Sequence, residues 1–177
     1  MTRLAATLVA TALFATPALA ALKVGDTAPT FTAQASLGGK EFSFSLSDAL
    51  KKGPVVVYFY PKAFTKGCSL EAHAFAEAMP QFTALGASVI GLSHDDIATL
   101  DKFSTADCAS AFPVGADTDQ KIMTSYDAVL AQKPDLANRT SYLVAPDGKI
   151  LAEYTNLDYS AHVDTMLAAL KAWKASH

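Results

Sequence analysis

The sequence predicts an α/β layered domain, and three observations carry that expectation. Two short runs rich in β-branched and aromatic residues, 55–60 and 87–93, have the length and composition of buried strands. Segments with apolar residues at helical spacing alternate with them, as in Ile97, Leu100 and Phe103. The chain then runs through two further strand-like segments about a tight turn and finishes in an amphipathic stretch. Strands that alternate with helices are the pattern of a sheet covered on its faces by helices.

Each element has its own local reason. Residues 31–35 and 41–45 alternate apolar with polar positions around Leu37-Gly38-Gly39-Lys40, which reads as a hairpin. Ser47-Asp48-Ala49-Leu50 is a short helical turn before Gly53-Pro54. The strand at 55–60 is stopped by Pro61, and a helix follows from Cys68 to about Leu85, which Pro80 is expected to kink or divide. After the strand at 87–93, Asp95 or Asp96 supplies a helix cap. Phe112-Pro113-Val114 is a short extended piece, and a further helix is expected at 119–127. Strands at 139–144 and 150–154 flank Pro146-Asp147-Gly148-Lys149, a turn sequence. The last helix carries Val163, Met166, Leu167, Leu170 and Trp173 as one apolar stripe. Hairpin, βαβα, then ββα is the order of a thioredoxin-like fold, a central mixed sheet flanked by helices, with an N-terminal β-hairpin extension.

The chain has 177 residues, a size that suits one domain. Its start reads as a secretory signal peptide over residues 1–20. Arg3 supplies the positive region, 4–14 the apolar stretch, and Pro17-Ala18-Leu19-Ala20 the small-x-small cleavage pattern. The apolar stretch is too short to span a bilayer, although an uncleaved anchor is the alternative. Cleavage after Ala20 leaves 21–177 as a single domain, expected in the bacterial periplasm. A net charge of −3 with scattered Lys and Arg gives no footprint for nucleic acid. Two cysteines, Cys68 and Cys108, are too few for a disulfide scaffold, though in an oxidising compartment they can pair.

The segment 61–68 carries the chemistry. Gly67 reads as loosening the loop, and Cys68 stands at a helix start, where unpaired N–H groups and the macrodipole favour negative charge. Such a place raises the thiolate fraction, and the thiolate is the nucleophile. Reduction of a peroxide needs a thiolate in line with the O–O bond and donors aimed at the departing oxygen.

Pro61, Thr65 and Cys68 fit the pattern Pro-x-x-x-Thr/Ser-x-x-Cys between a strand and a helix. Around it stand Val24-Gly25-Asp26-Thr27-Ala28-Pro29, Glu71-Ala72-His73-Ala74-Phe75, Phe112-Pro113-Val114-Gly115-Ala116-Asp117 and Arg139-Thr140 in the same order. On these residues the chain resembles the peroxiredoxins, and within them the PrxQ subfamily, also called bacterioferritin comigratory proteins. The resemblance implies that Cys68 attacks the peroxide and that Thr65 places its hydroxyl and backbone N–H groups around the thiolate. It also implies that Arg139 brings a fixed positive fork of donors, that Pro61 shields the site, and that Glu71 helps hold the arginine.

A resolving cysteine in that subfamily often lies where this chain has His73; other members place it in the following helix region, where Cys108 falls. The resemblance thus implies an intramolecular Cys68–Cys108 disulfide, a thioredoxin-like external dithiol reductant, no cofactor, and a monomer. The spacing of His73, His94 and His162 fits no zinc or copper pattern. The rival reading is a thioredoxin-like thiol–disulfide oxidoreductase acting on exported proteins. It requires Cys-x-x-Cys, but Thr65 and Glu71 occupy the two positions where the second cysteine would stand. A binding or chaperone-like domain on the same fold is a third.

Overall fold

Alternation along the buried strands determines which helices can cover each face of the sheet. In the computed structural model, which describes residues 21–177, Val55–Phe59 forms a strand buried on both sides. Val56 and Tyr58 face one core and Val55, Val57 and Phe59 the other. The leader expected at residues 1–20 lies outside the described residues.

In chain order the strands are β1 (Thr32–Leu37), β2 (Lys40–Ser45), β3 (Val55–Phe59), β4 (Ser88–Ser93), β5 (Val114–Ala116), β6 (Thr140–Val144) and β7 (Ile150–Thr155). They make one seven-stranded sheet in the order β2-β1-β5-β4-β3-β6-β7. β3, β4 and β5 run parallel, and the remaining pairs are antiparallel, so the sheet is mixed as the sequence predicts. The N-terminal hairpin is an extension of this sheet: β1 pairs with β5 through Gln34 and Ala116.

The helices are α1 (Leu46–Leu50), α2 (Lys66–Ala84), α3 (Ile97–Ala106), α4 (Lys121–Ser125) and α5 (His162–Ala175). One core joins Tyr58 and Val89 to Phe75 and Phe82 of α2, Phe103 of α3, and Met166 and Leu170 of α5. The other joins Val57, Phe59 and Ile90 to Leu46 of α1 and Met123 of α4. The expected stripe on α5 is buried at Val163, Met166, Leu167 and Leu170, and Trp173 packs at its edge.

Two expectations change. Pro80 does not divide α2, which is continuous from Lys66 to Ala84. Pro80 is exposed, and Ala76, whose carbonyl it leaves without a helical donor, is only partly buried. The helix also begins two residues before Cys68, which places Gly67 inside it and not in the preceding loop. Asp96 is the residue that caps α3, accepting from Thr99 N–H at 2.7 Å.

Candidate active site

The loop between β3 and α2 opens at the carboxyl end of the parallel strands, where α/β sheets place their ligands. It is pinned from the neighbouring strand. Asp95, just after β4, accepts from the Ala63 N–H at 2.8 Å and from the Ser93 hydroxyl at 2.8 Å. Phe64 then takes a left-handed conformation (φ 61°) and rests edge-on against Phe103 of α3. Thr65 is the N-cap of α2, but its hydroxyl makes no capping bond and donates to the Lys62 carbonyl at 2.9 Å. Its oxygen lone pairs stay available as acceptors. The Thr65 carbonyl accepts from the Ser69 N–H at 2.9 Å, which closes the first turn. Cys68 is therefore the third residue of the helix, among N–H groups with no partner inside it.

Arg139, immediately before β6, reaches this turn from the far side of the chain. Nη2 lies 3.4 Å from the Cys68 sulfur, Nη1 donates to Glu71 Oε2, and Nε donates to the Leu157 carbonyl at 2.9 Å. Its planar fork is thus held at two corners and presents the third to sulfur. Burial works against the Arg139 charge, yet Glu71 and Cys68 more than offset it and its pKa is raised. Gly67 makes the approach possible, because a Cβ there would stand 3.2 Å from Nη2. Burial also acts on Glu71, and despite Arg139 its carboxyl is pushed up to about 8.

Behind the pair lies His162, the first residue of α5, wholly buried. Nδ1 is 2.8 Å from Ser141 Oγ and 3.7 Å from Glu71 Oε1, and Nε2 is 2.9 Å from the Asn156 carbonyl. Burial, with Arg139 nearby, holds its pKa below the usual value.

Cys108 follows α3 and is fully buried in the same core as Cys68, and both thiols are free. Burial, with the charge of Asp107 beside it, drives the Cys108 thiol well above its ordinary range. Asp107 joins the two cysteine segments. It accepts from Ser69 Oγ at 3.0 Å and pairs with His73 Nε2 at 3.3 Å. Ala109 and Ser110 then both adopt positive φ, 49° and 55°, a strained turn for residues other than glycine.

Of the residues singled out in the sequence, Cys68, Arg139 and Glu71 form one connected group. Pro61 and Thr65 lie in the loop that enters it, half-buried and exposed respectively. The three histidines have separate partners: Asp107 for His73, Gln120 for His94, Ser141 for His162. Sequence reasoning did not find Gly67, Asp95 or His162 as parts of this group. Their partners lie on other elements, and no local pattern announces them.

Residues 24–153 match the AhpC/TSA family. The peroxiredoxin Bcp of Xanthomonas campestris is 33% identical over 126 residues, 67% of this chain and 76% of its own. That of Escherichia coli K12 is 30% identical, over 85% of this chain and 96% of its own. Among solved structures, peroxidoxin BcpB from Mycobacterium tuberculosis superposes with a TM-score of 0.78 at 30% identity, covering 85% of this chain and 97% of its own. The peroxiredoxin Q of Xanthomonas campestris gives 0.71 at 30% identity, over 81% and 91%.

Proposed function

The chain belongs to the AhpC/TSA family, among the Bcp/PrxQ peroxiredoxins, which are thiol-dependent peroxidases, and on that footing we propose that Cys68 is its peroxide-reducing nucleophile. The observation that carries this reading is the Arg139 guanidinium, fixed by Glu71 and Leu157 with Nη2 at 3.4 Å from the Cys68 sulfur. The cation thus stands beside the atom from which negative charge passes to oxygen during attack.

The thiolate attacks the terminal oxygen of a hydroperoxide. The S–O bond forms and the O–O bond breaks. The departing oxygen leaves as hydroxide or alkoxide and takes up a proton, so Cys68 becomes a sulfenic acid. Arg139 bears on the charge that builds along this axis, with the N–H groups of the first turn of α2. The Thr65 hydroxyl, donating to the Lys62 carbonyl, is free to accept from the peroxide O–H and so to orient it. Pro61 limits access by water.

Cys108 is the resolving thiol in this reading. Its sulfur attacks the sulfenic acid, a disulfide forms with Cys68, and water leaves. Both cysteines are buried, so the first turn of α2 and the 107–111 turn must open for the sulfurs to meet. A thioredoxin-like dithiol then returns both thiols and is itself oxidised. The substrates in this reading are hydrogen peroxide and organic hydroperoxides, and the working form is a monomer. The leader-like residues 1–20 support cleavage after Ala20 and a periplasmic location.

Stopped-flow mixing of reduced protein with hydrogen peroxide tests the first step: a rapid phase is expected that Cys68→Ser abolishes. Mass spectrometry after one equivalent of peroxide is expected to show Cys68 linked to Cys108. A persistent sulfenic or sulfinic acid without that link would rule out Cys108 as the resolving thiol.

A further inference from the structure

The group behind Arg139 has an unfilled place. Glu71 is buried, and while Oε2 is taken by Arg139, Oε1 has no hydrogen-bond partner among the described residues. A buried carboxylate oxygen without a donor is costly. His162 Nδ1 stands 3.7 Å from it, longer than a hydrogen bond and within ion-pair range. Nε2 faces the Asn156 carbonyl, which only accepts, so Nε2 carries a hydrogen and Nδ1 is the basic nitrogen of the neutral ring. Ser141 Oγ, on the same Nδ1, is a rotor that donates to the neutral ring and accepts from the charged one.

We propose that Glu71 and His162 share one buried proton, and that His162 is thereby a positioning residue for the peroxide-reducing step. The inference rests on the reading of Cys68 and Arg139 given above and adds what sets the net charge behind them. With the proton present, on Oε1 or on Nδ1, the Glu71–His162 pair is neutral and Arg139 directs its whole positive charge to the sulfur. When the proton leaves, Glu71 is an anion balanced only by Arg139, whose charge is then neutralised from behind, and the field it directs at the sulfur and the departing oxyanion weakens. Burial favours the neutral form of each partner, raising Glu71 and lowering His162, so the proton rests on the carboxyl in the folded protein.

The groups that face His162 agree with this. Glu71 comes from α2, and Arg139 and Ser141 from the start of β6. Tyr154 of β7 presents its ring in an edge-on contact, Asp158 acts from the loop before α5, and Asp164 lies in the first turn of α5 itself. Arg139 is the only cation among them, and it is already engaged with Glu71 Oε2. On the Glu71 side, the Tyr58 hydroxyl of β3 is also buried without a hydrogen-bond partner, and the carboxylate charge works against its ionisation.

The test is the pH profile of the rate at which Cys68 reacts with hydrogen peroxide, measured by stopped flow on the full protein. The wild type is expected to lose rate above about pH 8, where the shared proton leaves. His162→Gln keeps a polar side chain that can donate to Oε1 but cannot take its proton. Its falling limb is expected about one pH unit lower, which makes the rate at pH 8 roughly fivefold below the wild type. In Glu71→Gln the falling limb should disappear. A His162→Gln profile that is scaled down without a shift, or is unchanged, overturns the proposal and leaves His162 a spacer. A second readout needs no variant. The 13C signal of the Glu71 side-chain carboxyl is expected to titrate across the same pH range, and one that stays still from pH 6 to 10 overturns the proposal (the window being about two units either side of the carboxyl). Absence of any rapid peroxide phase in the wild type is a different failure, that of Cys68 as nucleophile.

Discussion

At Gly67 the chain lacks a Cβ where Arg139 needs the room. The local sequence, with Pro61 before it and Cys68 after, suggests only a residue that loosens a loop. The reason for glycine arrives from β6: a Cβ would stand 3.2 Å from Arg139 Nη2, and Arg139 is tethered by Glu71 and Leu157 and has little freedom to yield. Gly67→Ala should therefore separate activity from stability. Alanine in a helix is favoured over glycine by roughly 1 kcal/mol, which offsets the crowding, so the denaturation midpoint should change little. The peroxide rate should fall about tenfold as Nη2 is pushed from the sulfur, a loss equivalent to ~1.4 kcal/mol. Denaturant titration and stopped flow on the same sample check both halves. His162 shows the same limit of local reading. Weighed among three histidines for metal spacing it matches nothing, and its meaning comes from Ser141 and Glu71 on two other elements.

Among the elements, α2 and the turn after α3 carry the two cysteines, and Asp107 clasps them. Ser69 and His73, one turn apart on α2, both reach its carboxylate. In the resolution proposed above, both segments must open, and the clasp opposes that. Asp107→Ala releases two bonds, and at about 1 kcal/mol net it should favour the open form severalfold. The measurable outcome is competition at graded peroxide: mass spectrometry should find more Cys68–Cys108 disulfide and less sulfinic Cys68 than in the wild type. More sulfinic acid in the variant would mean that the clasp aligns the two segments instead of restraining them. The elements themselves are legible in the sequence because their signals are local. Alternation gives β1 and β2, the apolar runs give β3 and β4, and the stripe gives α5. Pro80 misleads, since a proline removes one helical hydrogen bond without always ending the helix, and here it stands on the exposed side of a continuous α2.

Across the whole molecule, burial of the β3–α2–α5 core links the site to stability. The hairpin joins the sheet through β5, a pairing between Gln34 and Ala116 that no local pattern predicts. The same long-range assembly buries Glu71 and His162 together, and their titration gives folding a pH dependence. Glu71 rises from 4.5 to about 8 on folding, so its contribution is full below pH 4.5 and is lost as pH rises through about 8. His162 is lowered from 6.5, so its contribution is present above pH 6.5 and is lost as pH falls. The two oppose each other at acid pH, and the net fall lies between about 6.5 and 8. Urea midpoints should drop across that window by an amount equivalent to about 1–2 kcal/mol, and Glu71→Gln should flatten the drop. A wild-type midpoint constant over the window would show that Glu71 is already ionised.

The most direct measurement is the second-order rate of Cys68 oxidation by hydrogen peroxide in Arg139→Gln against the wild type, at neutral pH. Arg139 places a fixed charge 3.4 Å from the sulfur, so the rate should fall about a hundredfold or more while the protein stays folded. Equal rates in the two proteins would contradict the account, because the thiolate would then owe its reactivity to something other than this contact.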